Sequence, residues 1–470
     1  MGKAKALLVA LLATVCCAAF AQAQTYDIII RSSHVIDGSG NAWIKADVGI
    51  RDGRIAAVGR LEGAKAARVI DATGQVVTPG FIDMHTHSEY TLLYDGNGES
   101  KIRQGVTTEV VGEGTSPGPV VGHGVEPAKE MLAHWNIQLT WTDLSGYFAR
   151  LLKSGTSINV ASYVSEGQVR DDVIGPVNRA PTPAEMAQMK QLVASEMQQG
   201  AFGLVDALEA TGGYAQTAEI IDLAKVVHQY GGLHATHMRG EGDTVLDSVR
   251  EAAEIGEKAE VPVEIFHLKV AGKQNWGRMP QVVALINSER SRGIDIRASQ
   301  YPYIAANHPT LPLLPPWALD GGVEKTMERL KDLQLREKMK RDILAGLPGW
   351  TQNYVLYSGG WGGIVIGGTR SKKNAWLAGK TLEELGKVRG KDPADAFFDL
   401  LIEEHGQVSC MAFMMDEKDV VTLMQTPWVD ICSDGSALAV GGLLGKGHPH
   451  PRNYGTFPRI LASMCARSTC

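Results

Sequence analysis

Four histidines and one aspartate stand where predicted strands end, and together they could bind a metal ion. His85 and His87 are two residues apart, and because side chains at positions i and i+2 of a strand point to the same side, both imidazoles can reach one ion. His237 and His267 end two later strands, and Asp434 ends the last one. A single histidine at a strand end is more often structural, but four of the 13 histidines in this ordered arrangement predict a metal site.

The elements that must position these residues are apolar strands that alternate with helical segments. The pattern predicts a (β/α)8 barrel, the TIM barrel, whose active residues lie at the C-terminal ends of its strands. An open doubly wound sheet has a similar periodicity, but the sequence has no glycine-rich phosphate loop after the first strand to favour it. The eight predicted strands are Phe81–His87, Val106–Gly112, Ile158–Val164, Ala201–Leu208, Gly232–His237, Val261–Lys269, Asp295–Tyr303 and Val429–Asp434.

The chain outside the barrel strands has its own patterns. Residues 25–78 contain short strand-like runs separated by glycine turns, which predicts a small all-β unit. The catalytic barrel is predicted over 79–461, and the Gly-, Trp- and Pro-rich residues 304–428 are predicted to insert as a lid or subdomain over its mouth. Residues 462–470 form an atypical tail.

Residues 1–24 are predicted to be a secretory signal peptide. Lys3 and Lys5 precede an apolar run, Ala6–Phe20, and the following Ala21-Gln22-Ala23 fits the small-x-small cleavage rule. The apolar run is shorter than the ~20 residues of a membrane span, which favours a cleaved leader over an uncleaved anchor. We therefore expect a secreted or periplasmic protein, cleaved near Ala23, with no membrane association beyond the leader.

Composition excludes several classes of function. The 470 residues carry 46 basic and 52 acidic side chains, a net charge of −6, so there is no basic footprint for nucleic acid. With 44% hydrophobic and 21% charged residues the chain is typical of a globular protein, and six cysteines are too few for a disulfide scaffold. The composition leaves the oligomeric state, a monomer or a homo-oligomer, open.

A family resemblance follows from the motifs around these ligands. The run from Thr78 to His87 (TPGFIDMHTH) resembles the metal-dependent amidohydrolase superfamily. Further runs look like its D-aminoacylase branch, the N-acyl-D-amino-acid deacylases: Gly105–Thr108, Ala235–Arg239, His267–Lys269, Gln300–Tyr303, Ser433–Gly435 and His448–Arg452. The resemblance runs from about Tyr26 to Leu461. It implies a zinc enzyme with one or two ions, and a barrel joined to a small β-sandwich built from both chain ends.

The sequence departs from the family pattern in three places. The family commonly has a Gly-Asn-Cys-Gly turn whose cysteine binds zinc, whereas this chain has Gly112-Glu113-Gly114, so Glu113 is predicted as the replacement ligand. A tyrosine that often follows the fourth-strand Leu-Glu pair is replaced by Ala210, which leaves substrate preference open. Only nine residues, 462–470, follow Leu461, so the sandwich is predicted to be incomplete at the C-terminus.

The resemblance and the residues together imply hydrolysis of an amide bond in a small N-acyl-D-amino acid or a D-residue-containing dipeptide. Asp434 is placed to move a proton from water to the departing nitrogen. Arg239 and Lys269 each follow a histidine ligand by two residues, so each can face the cavity and grip the substrate's carboxylate; a salt bridge at the barrel rim is the alternative. Tyr301 and Tyr303 could donate a hydrogen bond to the carboxylate or the oxyanion.

Further candidates and other functions remain open. Arg452 and Tyr454 lie on the loop after the eighth strand, where loop structure explains them nearly as well. A cyclic-amide hydrolase of the dihydroorotase or hydantoinase type is the second hypothesis, but such relatives usually need a strand-four lysine, and Ala201–Leu208 has none. A non-catalytic binding protein predicts the loss of metal ligands, all of which are present.

Overall fold

The computed structural model describes residues 25–208 and 213–464. The leader predicted for residues 1–24, Ala210 and the end of the tail, residues 465–470, lie outside the described residues. The chain divides into two compact units between Gly80 and Phe81. No helix in the described residues is long and apolar enough to cross a membrane.

The first unit is a five-stranded sheet. Its strands are β1 (Thr25–Val35), β2 (Ile44–Arg51), β3 (Arg54–Gly59), β4 (Lys65–Asp71) and β5 (Val76–Val77). β1 pairs antiparallel with β2 and parallel with β4 and β5, and the β2–β3 hairpin turns at Asp52-Gly53, both with positive φ, as an Asp-Gly turn requires. Val35, Ala46 and Val48 form its small core. In the described residues, no strand from the C-terminal part pairs with this sheet, so the second sandwich layer stays a prediction.

The second unit contains the predicted (β/α)8 barrel. Its strands are β6 (Phe81–Asp83), β7 (Val106–Val111), β8 (Asn159–Ser162) continued by β9 (Val164–Ser165), β10 (Gly203–Ala207), β11 (Leu233–His237), β12 (Val263–Ile265), β13 (Ile296–Gln300) and β17 (Val429–Ile431). All pairings among these strands are parallel, in sequential order from β6 to β8 and from β9 to β13 and β17. A bridge between Thr86 and Gly435 joins the first strand's continuation to that of the last. All eight predicted strands are present.

Helices pack around the barrel, and their apolar faces form the cores outside it. The spacing predicts helices over 183–199, 217–230 and 244–259, and the structure has them over Pro183–Gln198, Thr217–His228 and Val245–Ala259. A capping box between Thr182 and Glu185, with proline in the first turn, starts the first of these. The helices of this layer are Thr91–Tyr94, Glu99–Ile102, Val125–His134, Leu144–Ser154, Glu166–Ile174, Pro183–Gln198, Thr217–His228, Val245–Ala259, Met279–Ser291, Glu417–Met424 and Arg452–Arg459, followed by a π-helical turn at Ile460–Met464.

Residues 304–428, predicted as an insertion, contain a separate three-stranded sheet and most of the core that packs beside it. β14 (Ala305–Pro309), β16 (Val408–Phe413) and β15 (Ile364–Thr369) pair antiparallel in that order. Phe397, Phe398 and Leu400 are fully buried in the core beside this sheet. The helices that accompany this sheet are Pro316–Leu319, Gly322–Lys331, Leu333–Ala345, Tyr354–Tyr357, Leu382–Arg389 and Pro393–Glu403. Glu417–Met424, although within this range, packs on the barrel strands β13 and β17.

A buried carboxyl inside the barrel makes stability depend on pH. Val263 and Ile265 pack outward on helix residues, so Glu264 between them points into the barrel. Burial, followed by the nearby Asp430 carboxylate, raises the pKa of Glu264 from 4.5 to about 8, and Arg297 opposes the shift. Folding therefore binds a proton between these two pH values, and stability falls as pH rises through that window.

Glu264→Gln cannot ionise at this position. We expect its free energy of unfolding to equal that of the wild type near pH 4.5 and to exceed that of the wild type at about pH 9. Urea unfolding of both proteins across this range measures the difference. Glu62→Gln, a change at an exposed carboxyl, serves as the control and should show no such pH-dependent difference. A difference in free energy of unfolding between the wild type and Glu264→Gln that stays constant with pH would contradict the prediction.

Candidate metal centre

The segment after β6 presents His85 and His87 to the barrel mouth. The His85 ring stacks on Phe266, with centroids 4.1 Å apart and planes 8° from parallel. The backbone of this segment pairs with the loop after β17: Asp434 N donates to His85 O at 3.0 Å, and His87 N donates to Gly435 O at 3.1 Å. Barrel closure therefore brings the first and last predicted ligands together.

Glu113, directly after the glycine that follows β7, lies at the centre of the four histidines. Its Oε2 is 3.1 Å from His85 Nε2 and 3.2 Å from His87 Nε2, and its Oε1 is 3.0 Å from His237 Nδ1. Burial alone would raise the pKa of this carboxyl, but the hydrogen bonds from His237, His85 and His87 hold it well below its usual range. Glu113 is thus an ionised carboxylate with one oxygen toward each pair of histidines.

His237 and His267 form the second pair. His267 Nε2 lies 3.2 Å from His237 Nδ1, and the His267 Nδ1 atom lies 3.2 Å from Glu241 Oε1. Burial, with the nearby charges of Lys269 and His237, lowers the pKa of His267 to about 4. His267 is therefore a neutral imidazole at neutral pH, the form that binds metal.

Asp434 is held at both carboxylate oxygens. Its Oδ1 is 3.2 Å from His87 Nε2 and 3.8 Å from His85 Nε2, and its Oδ2 accepts a 2.6 Å hydrogen bond from Arg452. Burial opposes ionisation, but the charge of Arg452 and the hydrogen bond from His87 keep the pKa of Asp434 well below its usual range. The group is therefore ionised at neutral pH.

The donor set fits a zinc centre. The ligand atoms of His85, His87 and Asp434 lie within 4.8 Å of one another, as do those of His85, Glu113 and His267. Imidazole nitrogen and carboxylate oxygen are both common zinc ligands. Because the two Glu113 oxygens face different histidine pairs, this carboxylate is placed to bridge two ions.

A cavity of about 260 Å³ opens onto these ligands. Lys269 and Tyr301, two of the four predicted substrate-binding residues, line it together with Arg452 and with Asn307 and His308 from β14 of the insertion. The Tyr301 ring is buried, and its hydroxyl has no hydrogen-bond partner among the described residues. It is therefore a donor available to a bound molecule.

Arg239, predicted to grip the substrate, does not line this cavity. Its guanidinium forms an ion pair with Glu251 at 2.9 Å and donates to the carbonyl oxygens of Gly213 and Ala215, both at 2.9 Å. The cavity-facing position was predicted from strand alternation, but β11 ends at His237, so Arg239 lies beyond the strand. The structure has the rim salt bridge that the sequence left as the alternative.

Tyr303 also points elsewhere. It is half-buried, its hydroxyl lies 3.5 Å from Pro451 O, and the Arg459 guanidinium lies over its ring at 4.9 Å. β13 ends at Gln300, and Tyr303 N donates to Tyr301 O at 3.0 Å in a turn. The turn breaks the alternation that predicted both tyrosines on one side.

Two residues beside the metal ligands were not assigned to the site from the sequence. Glu241 is buried, contacts the Lys269 ammonium and lies beside His267. Its spacing of four residues after His237 was the only sequence signal for it. Arg452, weighed above as an element of loop structure, is the partner of Asp434.

Comparisons with known proteins show which proteins this chain resembles. The chain matches the model of the amidohydrolase family over residues 68–294 and that of the urease alpha-subunit N-terminal domain over residues 12–79. It is 33% identical to a D-aminoacylase of Alcaligenes xylosoxydans xylosoxydans over 440 residues, which cover 93% of this chain and 79% of that protein.

Two solved structures are similar over 94% of this chain and 81% of theirs. One is an N-acyl-D-glutamate deacylase from Bordetella bronchiseptica in complex with zinc and a phosphonate that mimics the tetrahedral intermediate, at 28% identity and a TM-score of 0.75. The other, at 30% identity and a TM-score of 0.72, concerns the binuclear metal centre of a D-aminoacylase.

The position of Glu113 predicts how its replacement affects metal binding. Glu113→Ala should lower zinc per chain and the rate of hydrolysis together, because it removes the ligand shared by both histidine pairs. Glu113→Cys, which restores the ligand usual in the family, should retain more zinc than the alanine variant, and added zinc should partly restore the latter. Metal analysis and rates on the same preparations test this. Equal zinc content in the three proteins would contradict a ligand role.

Proposed function

We propose a function for this chain from the premise that it belongs to the amidohydrolase family, in its D-aminoacylase branch. The chain is a zinc-dependent hydrolase that cleaves the amide bond of N-acyl-D-amino acids and releases a carboxylate and a free D-amino acid. The observation that carries this proposal is one cavity that brings three of the four histidines, Glu113 and Asp434 together with two cationic side chains, Lys269 and Arg452. The fourth histidine, His85, lies in the same ligand cluster.

The chain's own residues supply the metal ligands. His237 and His267 with Glu113 would hold one ion, and His85 and His87 with Asp434 and the other Glu113 oxygen would hold a second. Zinc bound in such a site polarises an amide carbonyl and lowers the pKa of bound water to about 7.

Asp434 is the proton carrier. Its pKa, held well below the usual range, leaves it ionised and able to accept a proton from water at neutral pH. The hydrogen bond from Arg452 to Oδ2 fixes the carboxylate and leaves Oδ1 toward the histidines. Oδ1 is thus the atom that we assign to take the proton and pass it to the departing nitrogen.

The free carboxylate of the substrate requires cationic and hydroxyl donors. Lys269 lies between Glu241 and His267, with its ammonium 2.7 Å from His267 Nδ1. The Arg452 guanidinium lies 4.9 Å from the centre of the Tyr301 ring. These two cations and the Tyr301 hydroxyl are the groups that we propose bind the α-carboxylate.

Other features bear on the alternatives and on location. In the cyclic-amide hydrolases considered above, strand four usually supplies a lysine. The charged residue of β10 is instead Asp206, which is hydrogen-bonded to His234 and Thr236.

The sequence of residues 1–24 supports a cleaved leader, so we propose a secreted or periplasmic enzyme.

Asp434→Asn tests the proton carrier. We expect it to retain zinc through Glu113, His237 and His267 but to lower kcat at least ~10²-fold, because an amide cannot accept the proton. Steady-state kinetics and metal analysis on one preparation measure both. A variant that keeps its zinc and a near-normal kcat would assign the base to another residue.

The substrate class is tested with a panel on the zinc-loaded protein. We expect release of the amino acid from N-acetyl-D-amino acids, slower release from the L-enantiomers, and no opening of hydantoin or dihydrouracil rings. His237→Ala and His267→Ala, which remove ligands, should lose both zinc and turnover. Turnover of the cyclic amides without any of the N-acyl compounds would overturn the proposal in favour of the second hypothesis.

A further inference from the structure

A fully buried lysine lies beneath the metal centre and takes no part in the chemistry described above. Lys101 belongs to the short helix Glu99–Ile102 between the first two barrel strands, and its side chain is 0% exposed. Its ammonium lies 3.0 Å from Asp83 Oδ2, 3.0 Å from Glu109 Oε1, 2.6 Å from Ser433 Oγ and 3.0 Å from Gly435 O. One cation thus joins the first, second and eighth strands of the barrel.

A contribution to stability is not enough to account for the burial of this charge. The attraction of Asp83 and Glu109 keeps the pKa of Lys101 raised although burial lowers it, so the ammonium stays charged. A buried ion pair often contributes no more to stability than well-packed apolar side chains of similar volume. Its position in the fold is the more informative property.

Two of the four contacts of Lys101 are with the residues that precede and follow Asp434 in the chain. Ser433 and Gly435 are its chain neighbours, and Lys101 donates to both. Ser433 N also donates to Asp83 Oδ1 at 2.8 Å, and Gly435 N donates to Ser433 Oγ at 3.1 Å. Asp434 itself has φ of 49°, a left-handed conformation that a residue other than glycine adopts only where its surroundings hold it.

The same network reaches the paired histidines. Asp434 N donates to His85 O, and Gly435 O accepts from both His87 N and the Lys101 ammonium. The residues that carry the proton carrier and the first two metal ligands are therefore tied to one another and to one cation.

We infer that Lys101 is a positioning residue, which sets the placement of Asp434 relative to His85 and His87. The inference rests on the proposed function, in which these three residues hold one ion and Asp434 moves the proton. It predicts that loss of the cation lowers kcat and zinc retention more than substrate affinity. Of the three groups proposed to bind the carboxylate, Arg452 contacts Asp434, whereas Lys269 pairs with Glu241.

Lys101→Met tests this. Ser433→Ala is a milder variant that keeps the cation and removes its 2.6 Å contact, together with the hydrogen bond from Gly435 N to the same oxygen. The matched control is Arg170→Met, which removes another fully buried cation, paired with Glu219 outside the cavity. For each protein the measurements are kcat and KM, zinc per chain after a chelator challenge, and the thermal midpoint.

We expect Lys101→Met to lower kcat at least about tenfold, since small displacements of a reacting group have effects of this size or larger. KM should change little, and the chelator should remove more zinc than from the wild type. Ser433→Ala should lower kcat and zinc retention as well, but by less than Lys101→Met does. Arg170→Met should lower the thermal midpoint with kcat and zinc retained.

A folded Lys101→Met that behaves like Arg170→Met would overturn the inference. If Lys101→Met does not fold, Ser433→Ala decides, and wild-type kcat with wild-type zinc retention in that variant rejects the positioning role. A wild-type chain that binds zinc but cleaves no N-acyl-D-amino acid would reject the proposed function instead, and the zinc measurements would still test Lys101.

Discussion

Four imidazoles and two carboxylates form one ligand cluster, and the burial of the two carboxylates, Glu113 and Asp434, is the constraint on which the site depends. An ionised carboxylate removed from water is costly unless opposite charges and hydrogen bonds compensate. Glu113 meets this requirement by facing three histidines, and Asp434 meets it by facing Arg452 on one oxygen and His87 on the other. The compensation keeps both carboxylates ionised, which is the form that a divalent metal binds.

Backbone geometry directs these donors inward. His267 and Asp434 have φ of 36° and 49°, so the chain leaves the strand conformation at each of them. Such conformations cost about 1–3 kcal/mol in a residue other than glycine and persist only where contacts hold them. Asp434 is held by the His85 carbonyl, and its neighbours Ser433 and Gly435 are held by Asp83 and Lys101. The geometry of the site and the closure of the barrel between its first and last strands are therefore one feature.

Basic residues near the site differ in function according to the element that holds them. Lys269 and Arg452 face the cavity, each beside an acidic group that limits its motion. Arg239 lies over the helix Val245–Ala259, where Glu251 holds it at the rim. Lys101 lies beneath the ligands rather than among them. All four are cations close to the mouth, yet only those whose side chains reach the cavity can touch a substrate.

The sequence by itself determined the eight barrel strands and the metal-ligand types, because apolar periodicity and the residue at a strand's end are local properties. It also singled out Glu113, since a turn motif departs there from the family pattern. The tertiary structure alone decided the positions of Arg239 and Tyr303, whose strands end before the alternation reaches them. It also decided the partners of Lys101, Glu241 and Arg452. Their contacts join residues from different strands or lie beyond the strand ends, and only the closed barrel, not strand periodicity, brings such groups together.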